Sequence, residues 1–451
     1  MASELANEYI IDAAIITGDR LPQAYNMTQM VLEFSLFEDI ELPYLTGQMV
    51  FMDDAGSFNE MQLKGTETLY VSVRGAEETN TKARINIFMN IVSIEKKMKT
   101  TERTEVYHLS LMSPMAFRDQ GIKLSKSFTG KLDEVSASIL QNYLDLNVTY
   151  DYTRLTTAQS SMKLITPYIS PLESAKWLLD RATTVRGAPF FLWQSVYEQN
   201  GPETIRIGDL ETMMTGTEPW NAGNPLTYSQ AGANDVALKD TADQKRIIQS
   251  FVTNKMENTV KNMNDGAVGA LFSTLDTYTS QDYSRHFAVS QLLEQEKTYL
   301  YKNTQNVHDD VTTLSYRGEE RKIDQWDNRY FNLITSYGTY GSWNSYHDDP
   351  RQLDAMNKMR SNSILSLLHR NSIDMTLQGS TFFGPMLEGG DKGVGAGDVT
   401  EIQVIMSDTI QDEPQKDENL SGNYMILKCR HVFANTTHTV HATVSKLDGQ
   451  L

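Results

Sequence analysis

Gly65-Thr-Glu-Thr-Leu-Tyr-Val-Ser-Val73, then Ile85 to Met98, a polar turn at Thr100-Thr101 and Glu105 to Met112, form one statement near the start of the chain. Gly397-Asp-Val-Thr-Glu-Ile-Gln-Val404, then Tyr424 to Phe433, a turn at Asn435-Thr436 and Thr439 to Leu447, repeat it at the other end. Each is a Gly-plus-acid entry into a strand, followed by a β-hairpin in which apolar and polar residues largely alternate. Two β-modules of one design indicate pseudo-symmetry, and pseudo-symmetry usually serves assembly.

Working outward from the first copy, residues 9–16, 30–37 and 47–52 read as strands, Asp53-Asp54-Ala-Gly56 as a turn, and Ser57 as the opening of a short helix. Residues 1–112 therefore hold enough antiparallel strands for a small barrel or sandwich. After Pro114 the period changes. Leu132, Val135, Ile139 and Tyr143 fall at helical spacing and predict a helix over 131–145. Ser170-Pro171-Leu172-Glu173 is a capping box with Pro at the first helical position, and Gly187 is the expected stop. The buried stripe of that helix is Ala175, Leu178, Leu179 and Ala182; Phe190 to Trp193 gives a strand, Asn200-Gly201 a tight turn, and Thr204 to Ile207 the return strand. Residues 113–210 thus form an α+β domain.

Residues 211–240 are turn-rich, with Gly216, Pro219, Gly223, Pro225 and Gly232, and are expected to begin a second barrel that 371–451 completes. Residues 241–370 read as an inserted mixed or helical domain, in which 241–262 has a helical pattern and Asp349-Pro350 opens a helix carrying Leu353, Met356, Ile364, Leu367 and Leu368. Between them, Tyr337, Tyr340, Trp343 and Tyr346 are spaced by Gly, Ser and Asn. Such composition gives rigid aromatic contact area with adaptable hydrogen bonding, so this is a candidate partner-contact loop; a buried satellite core is the competing reading.

With 451 residues the chain exceeds a single core, and 40% hydrophobic with 22% charged residues is ordinary for a globular protein. No apolar run reaches the roughly 18 residues of a membrane span, so no membrane insertion is expected. The start, Met-Ala-Ser-Glu-Leu-Ala-Asn-Glu, is unlike a signal peptide, and synthesis in a cytoplasm is the expectation. The net charge of −18 is unevenly divided: residues 1–112 carry −8, residues 113–210 zero, residues 211–370 −4 and residues 371–451 −6. The two β-modules are the acidic parts, which argues against sequence-reading DNA binding.

No motif asks to be an active site. Gly393-Val-Gly-Ala-Gly397 lacks the Gly-Lys-Ser/Thr ending of a phosphate loop and leads into a strand. His308-Asp309-Asp310 and His347-Asp348-Asp349 are read as capping and solvated residues. His438 and His441 are three apart on one strand and so point to opposite faces, which leaves them and His431 short of a three-His metal site. Acid pairs at Asp53-Asp54, Glu77-Glu78 and Asp412-Glu413 lie in turn-like contexts, and Cys429 is read as a small buried hydrophobe. No catalytic, cofactor-binding or metal residue is expected.

The residues resemble a known family. The helix Ser170-Pro-x-Glu-x-Ala-x-Trp-Leu-x-x-Arg-Ala182 followed by Phe190-Phe-Leu-Trp is similar to the second domain of baseplate hub proteins of contractile-tailed bacteriophages, which are related to the base of type VI secretion spike proteins. Asn262-Met-Asn-Asp-Gly-Ala-Val-Gly269 with Leu275-Asp-x-Tyr278, and Arg351 to Gly379 leading into Gly397-Asp-Val, resemble the stretches around that family's interrupted barrel. The loops 380–396 and 408–422 look long for the family. The resemblance implies an α+β multidomain chain with two related antiparallel β-barrel tube domains, assembling as a trimeric pseudo-sixfold ring. It implies a non-enzymatic structural hub in the virion baseplate, assembled in the host cytoplasm. Its partners would be a central spike protein, tail tube or tube-initiator proteins and baseplate wedge proteins, with DNA passing through without specific binding. The acidic modules would then line the bore. The alternatives are a tail-associated peptidoglycan hydrolase and a receptor- or glycan-binding tail protein using the Tyr-rich loop.

Overall fold

The first strands follow the period-two pattern. They are β1 (Tyr9–Thr17), β2 (Tyr25–Asn26), β3 (Val31–Asp39), β4 (Thr46–Asp53), β5 (Thr68–Gly75), β6 (Arg84–Lys99) and β7 (Glu105–Met112), with the short helix α1 (Ser57–Met61) between β4 and β5. The computed structural model describes residues 8–76, 84–100, 104–150, 161–184, 188–198, 203–215, 219–229, 246–255, 259–264, 269–276, 280–288, 313–316, 318–326, 330–335, 361, 364–365, 368–369, 371–379, 382, 393–407, 414–417 and 420–445. Neighbouring strands run β3-β4-β7-β6-β5-β1-β2, all antiparallel. One face packs Phe34, Leu36, Phe51, Val71, Ile87 and Leu109 into a core. Asp53 makes the expected turn: its carboxylate accepts from the backbone N–H of Ala55, Gly56, Ser57 and Phe58 and so opens α1.

A second core lies around α2 (Pro114–Gln120), β8 (Ser127–Lys131), α3 (Leu132–Leu144), β9 (Asn147–Tyr150), β10 (Ser161–Ile165), α4 (Pro171–Leu179), β11 (Phe190–Trp193), β12 (Thr204–Asp209) and α5 (Leu210–Thr215). Helix α3 stops where Asp145 turns left-handed at φ 55°. Helix α4 has its cap, with Ser170 Oγ accepting from Glu173 N at 3.4 Å. It ends at Leu179, however, well before Gly187. Arg181 N and Ala182 N reach back only three residues, to Leu178 O and Leu179 O, which tightens and closes the last turn.

The remaining elements are β13 (Leu226–Ser229), β14 (Ser250–Lys255), α6 (Thr259–Asn264), β15 (Gly269–Asp276), β16 (Gln281–Ala288), β17 (Thr313–Tyr316), β18 (Glu319–Lys322), β19 (Tyr330–Thr335), β20 (Asn371–Gln378), β21 (Val399–Ser407), β22 (Pro414–Lys416), β23 (Gly422–Ala434) and β24 (Thr437–Ser445). Strands β16-β15-β19 and β17-β18 make two small separate sheets. The helical pattern over 241–262 is corrected here. Ser250–Lys255 is a strand, held by a six-residue antiparallel ladder to β20, and among the described residues of that stretch only those from Thr259 onward are helical, in Thr259–Asn264. The sheet ladder overrides a weak local preference.

The repeat is visible in the strand neighbours. β3-β4-β7-β6-β5-β1 is matched by β14-β20-β24-β23-β21-β13, and the two series join because β23 pairs with β3, so fourteen strands share one sheet among the described residues. The last member differs in direction, since β13 is parallel to β21 while β1 is antiparallel to β5. The Gly-plus-acid entries have matching roles. Gly65 and Gly397 have φ 88° and 92°, the Glu67 carboxylate accepts from the N–H of Lys64, Gly65 and Thr66, and Asp398 Oδ2 accepts from Gly395 N. The closing hairpin turns at Asn435 and Thr436, both at positive φ (50° and 66°), as a two-residue hairpin loop requires. Among the described residues no helix is long and apolar enough to cross a membrane.

A Cβ at Gly397 would sit 2.8 Å from the Trp193 ring as well as at an unfavourable φ, whereas one at Gly56 would meet nothing within 4 Å. Gly397→Ala is therefore expected to cost about 2–4 kcal/mol, the sum of left-handed strain and overpacking, and Gly56→Ala about 1 kcal/mol. Urea midpoints decide; equal losses would refute a packing role for Gly397.

Candidate functional site

The seam between the two series has two sides. On the solvent side, register places Ser250, Thr376, His441, Arg430, Phe37 and Thr46 in one row across β14-β20-β24-β23-β3-β4. The adjacent row holds Val252, Asp374, Thr443, Lys428 and Asp39. Both rows line a groove of about 560 Å³. Hydrogen bonds run along it: Ser250 Oγ donates to Thr376 Oγ1 at 2.8 Å, Thr376 Oγ1 and His441 Nδ1 lie 3.1 Å apart, and Thr443 Oγ1 donates to Asp374 Oδ1 at 2.6 Å. Lys428 Nζ pairs with Asp39 at 2.9 Å, and the Arg430 guanidinium lies 5.3 Å from the Phe37 ring centre.

The alternation that exposes these residues leaves Lys428 and Arg430 against Glu33, Asp39 and Asp374 on the six strands. The face is thus close to charge-balanced and rich in hydroxyl groups. Several of the chain's acids do structural work, Asp53 and Glu67 among them.

Behind the groove the seam is buried and polar. Glu38 of β3 is 1% exposed and sits opposite Cys429 of β23. The middle part of the chain reaches the same place: Trp193 Nε1 donates to Ala396 O at 3.1 Å, Leu45 N donates to Gln194 Oε1 at 3.2 Å, and Val196 packs in the first core. Burial, then the neighbouring Asp398, pushes the Glu38 carboxyl up to about 8. Arg206, Ala396 N and Ser195 Oγ oppose that rise, but neither carboxyl oxygen has a partner in full hydrogen-bond geometry among the described residues. Further along, His431 Nδ1 and His438 Nε2 lie 3.2 Å apart among Phe433, Phe382 and Tyr197. Burial holds His431 down at about 4, and burial together with His431 holds His438 well below the ordinary range.

His438 is buried and His441 exposed, so they do face opposite ways, and Cys429 is buried. No cluster of three or more possible metal ligands occurs among the described residues. Tyr337, Tyr340, Trp343 and Tyr346 lie outside the described residues, as do His308 to Asp310 and His347 to Asp349. The groove itself was missed. Its residues come from strands more than 400 positions apart, and only the alternation within each strand foretold which of them face outward.

Comparison with solved structures places the fold. Over 96% of this chain and 98% of the other, it is similar to the 43 kDa tail protein of prophage MuSo2 from Shewanella oneidensis, with TM-score 0.51 and 10% identity. A tail protein from Neisseria meningitidis MC58 follows at TM-score 0.48 and 9% identity over 97% of both chains. An Escherichia coli component of the type VI secretion system has TM-score 0.43 and 10% identity over 97% of this chain and 78% of that one. No family model matches the sequence, and no curated protein matches it. The chain has the fold of a phage tail protein, as the resemblance implied.

The two ionisable clusters set opposite limits on stability. Between 4.5 and about 8 the fold keeps the Glu38 proton that the unfolded chain releases, so stability falls as pH rises through that window. Between 6.5 and about 4 the unfolded chain binds a proton that His431 refuses, so stability falls as pH drops. Glu38→Gln is expected to gain on the wild type by up to about 1.4 kcal/mol per pH unit as pH rises through the first window. Urea melts across pH measure this, and a difference independent of pH would overturn the assignment.

Proposed function

We propose that the chain is a structural protein of a phage tail, the hub of a baseplate, in which three copies form a ring that adapts a threefold central spike to a sixfold tail tube. The observation that carries this reading is the duplicated strand series rejoined through the β23–β3 seam. Two similar modules per chain become six similar positions under a threefold axis. The chain's parts would then be a first β-barrel tube domain over 1–112, an α+β domain over 113–210, a second barrel from 211–240 with 371–451, and an inserted domain over 241–370, with β14 counted in the second barrel.

In this reading the shared outer face lines the passage for DNA. A wall that neutralised even 6–10 phosphates would hold the duplex tightly. The face offers Lys428, already paired with Asp39, and Arg430, stacked on Phe37. It supports passage without specific binding. Contacts with the spike, tube-initiator and wedge proteins would fall on the remaining surfaces, with Tyr337, Tyr340, Trp343 and Tyr346 as the proposed contact loop. The reading needs no enzymatic step and no cofactor.

Light scattering on the purified chain tests the ring. A species of three times 51.0 kDa, alone or with its spike partner, is expected. A chain that remains at 51.0 kDa under both conditions would refute it.

A further inference from the structure

The repeat extends to single residues. Ile91 N donates to Glu67 O and Ile426 N to Asp398 O, both at 2.9 Å. Immediately afterwards each strand bulges, between Ile91 and Ser93 in β6 and between Ile426 and Lys428 in β23. Ser93 therefore answers Lys428. Beyond a second bulge, between Ile94 and Lys96, Lys96 answers Arg430 and Met98 answers Val432. His108 and His441 then stand at matching places opposite Lys96 and Arg430.

On the other flank β14 answers β3. Ser35 lies opposite Gln48, itself opposite Ser110, while Val252 lies opposite Asp374, itself opposite Thr443. Ser110 and Thr443 already correspond through Ser93 and Lys428, so Val252 answers Ser35.

One link is missing from the pattern. In the seam, the second half of β23 pairs with β3, with Val432 opposite Ser35. Among the described residues the equivalent half of β6 has only β7 as a strand neighbour, because β5 leaves the strand at Asn90. From Ser93 to Lys99 its outer edge has no strand partner among the described residues. The outer edge of β14 from Ser250 to Lys255 likewise has none.

We propose that these two edges pair with each other between copies of this chain, β6 of one copy running antiparallel to β14 of the next and repeating the seam. The correspondence fixes the register: Lys96 opposite Asn254, Met98 opposite Val252, Lys99 opposite Phe251. A separate observation points the same way. Met98 is 48% and Val252 55% exposed, two large apolar side chains on the same face of the sheet, one at each free edge. The pairing sets them against each other and covers both. The interface is heterologous, with one edge of each kind per copy, so successive copies add head to tail and form a ring when the rotation between them closes. An eight-strand arc, β14-β20-β24-β23-β3-β4-β7-β6, would then be one subunit's share of the wall. The inference deepens the hub reading and rests on it only for the number of copies.

The test is a full-length Met98→Cys, Val252→Cys double variant, oxidised and run without reductant; the native Cys429 is buried and stays. Directly opposed positions in an antiparallel ladder lie about 4.5–5.5 Å apart at Cβ, within or just beyond disulfide range. The double variant is expected to form covalent multimers that neither single variant forms. Equal cross-linking in a single variant, or none in the double, overturns the pairing. A trimer by light scattering without this cross-link would leave the hub reading standing and remove the inference, whereas a cross-linked series running past three copies would do the reverse. Should the cysteine variants misfold, a charge swap replaces them. Met98→Asp is expected to weaken association, and Val252→Lys added to it to restore association; failure of the second change to rescue the first also overturns the pairing.

Discussion

The pairing of β23 with β3 is the constraint on which the rest depends. Seven residues of the last module, Lys428 to Ala434, are laddered to seven of the first, Glu33 to Asp39. Backbone hydrogen bonds across that ladder cannot be surrendered one at a time in a buried place, since each orphaned group carries its full desolvation penalty. The two modules are thereby one sheet rather than two bodies on a tether. Every oddity nearby follows. Glu38 must stay on the buried side because its neighbours in β3 alternate outward, and the strap Gly395-Ala396-Gly397 must pass tightly over it, with a Cβ at Gly395 standing only 2.8 Å from the carboxylate. The carboxyl answers by keeping its proton, because burial and Asp398 outweigh the opposing charge of Arg206.

The same ladder separates a solvent-facing side from a packed one. Where the register exposes residues it exposes hydroxyls, a balanced set of charges and one imidazole; where it buries them it buries Phe34, Leu36, Phe433 and the histidine pair. Net charge is a property of the whole surface and gives no address to its parts. Asp53 and Glu67 are bound to backbone N–H groups and Glu38 is buried, so a fraction of the acid surplus never confronts a partner at all.

Much of this was legible in the chain. The duplicated Gly-plus-acid entries, the hairpin turn at Asn435-Thr436, the Ser170 cap and the buried stripe of α4 are local features, and local features are written in local residues. The strand at Ser250–Lys255 was not, because its apolar spacing is ambiguous and a partner 116 to 126 residues away decides it. The end of α4 was misplaced for a related reason: Gly187 is a plausible stop, but tightened turns at Arg181 and Ala182 end the helix first. Nor could the sequence show that half of β6 lacks a second strand neighbour among the described residues, since alternation reports faces and is silent about edges.

The repeat also differs from itself in an instructive way. Where the internal seam has His431, Phe433 and Glu38, the matching positions at the free edges hold Lys97, Lys99 and Lys255. The strand edges joined in the internal seam meet within one chain as it folds and do not wait in solution, so their packed side can be lined with aromatic rings and neutralised acids. A free edge must wait in solution, and an unprotected apolar strand edge invites indiscriminate pairing. Lysines at such an edge keep it soluble and disfavour pairing in wrong registers, at a modest cost in the affinity of the correct one. An edge that meets its partner during folding and an edge that must wait in solution thus place different demands on the two copies of the module, and their residues differ at those positions while the strand order stays the same.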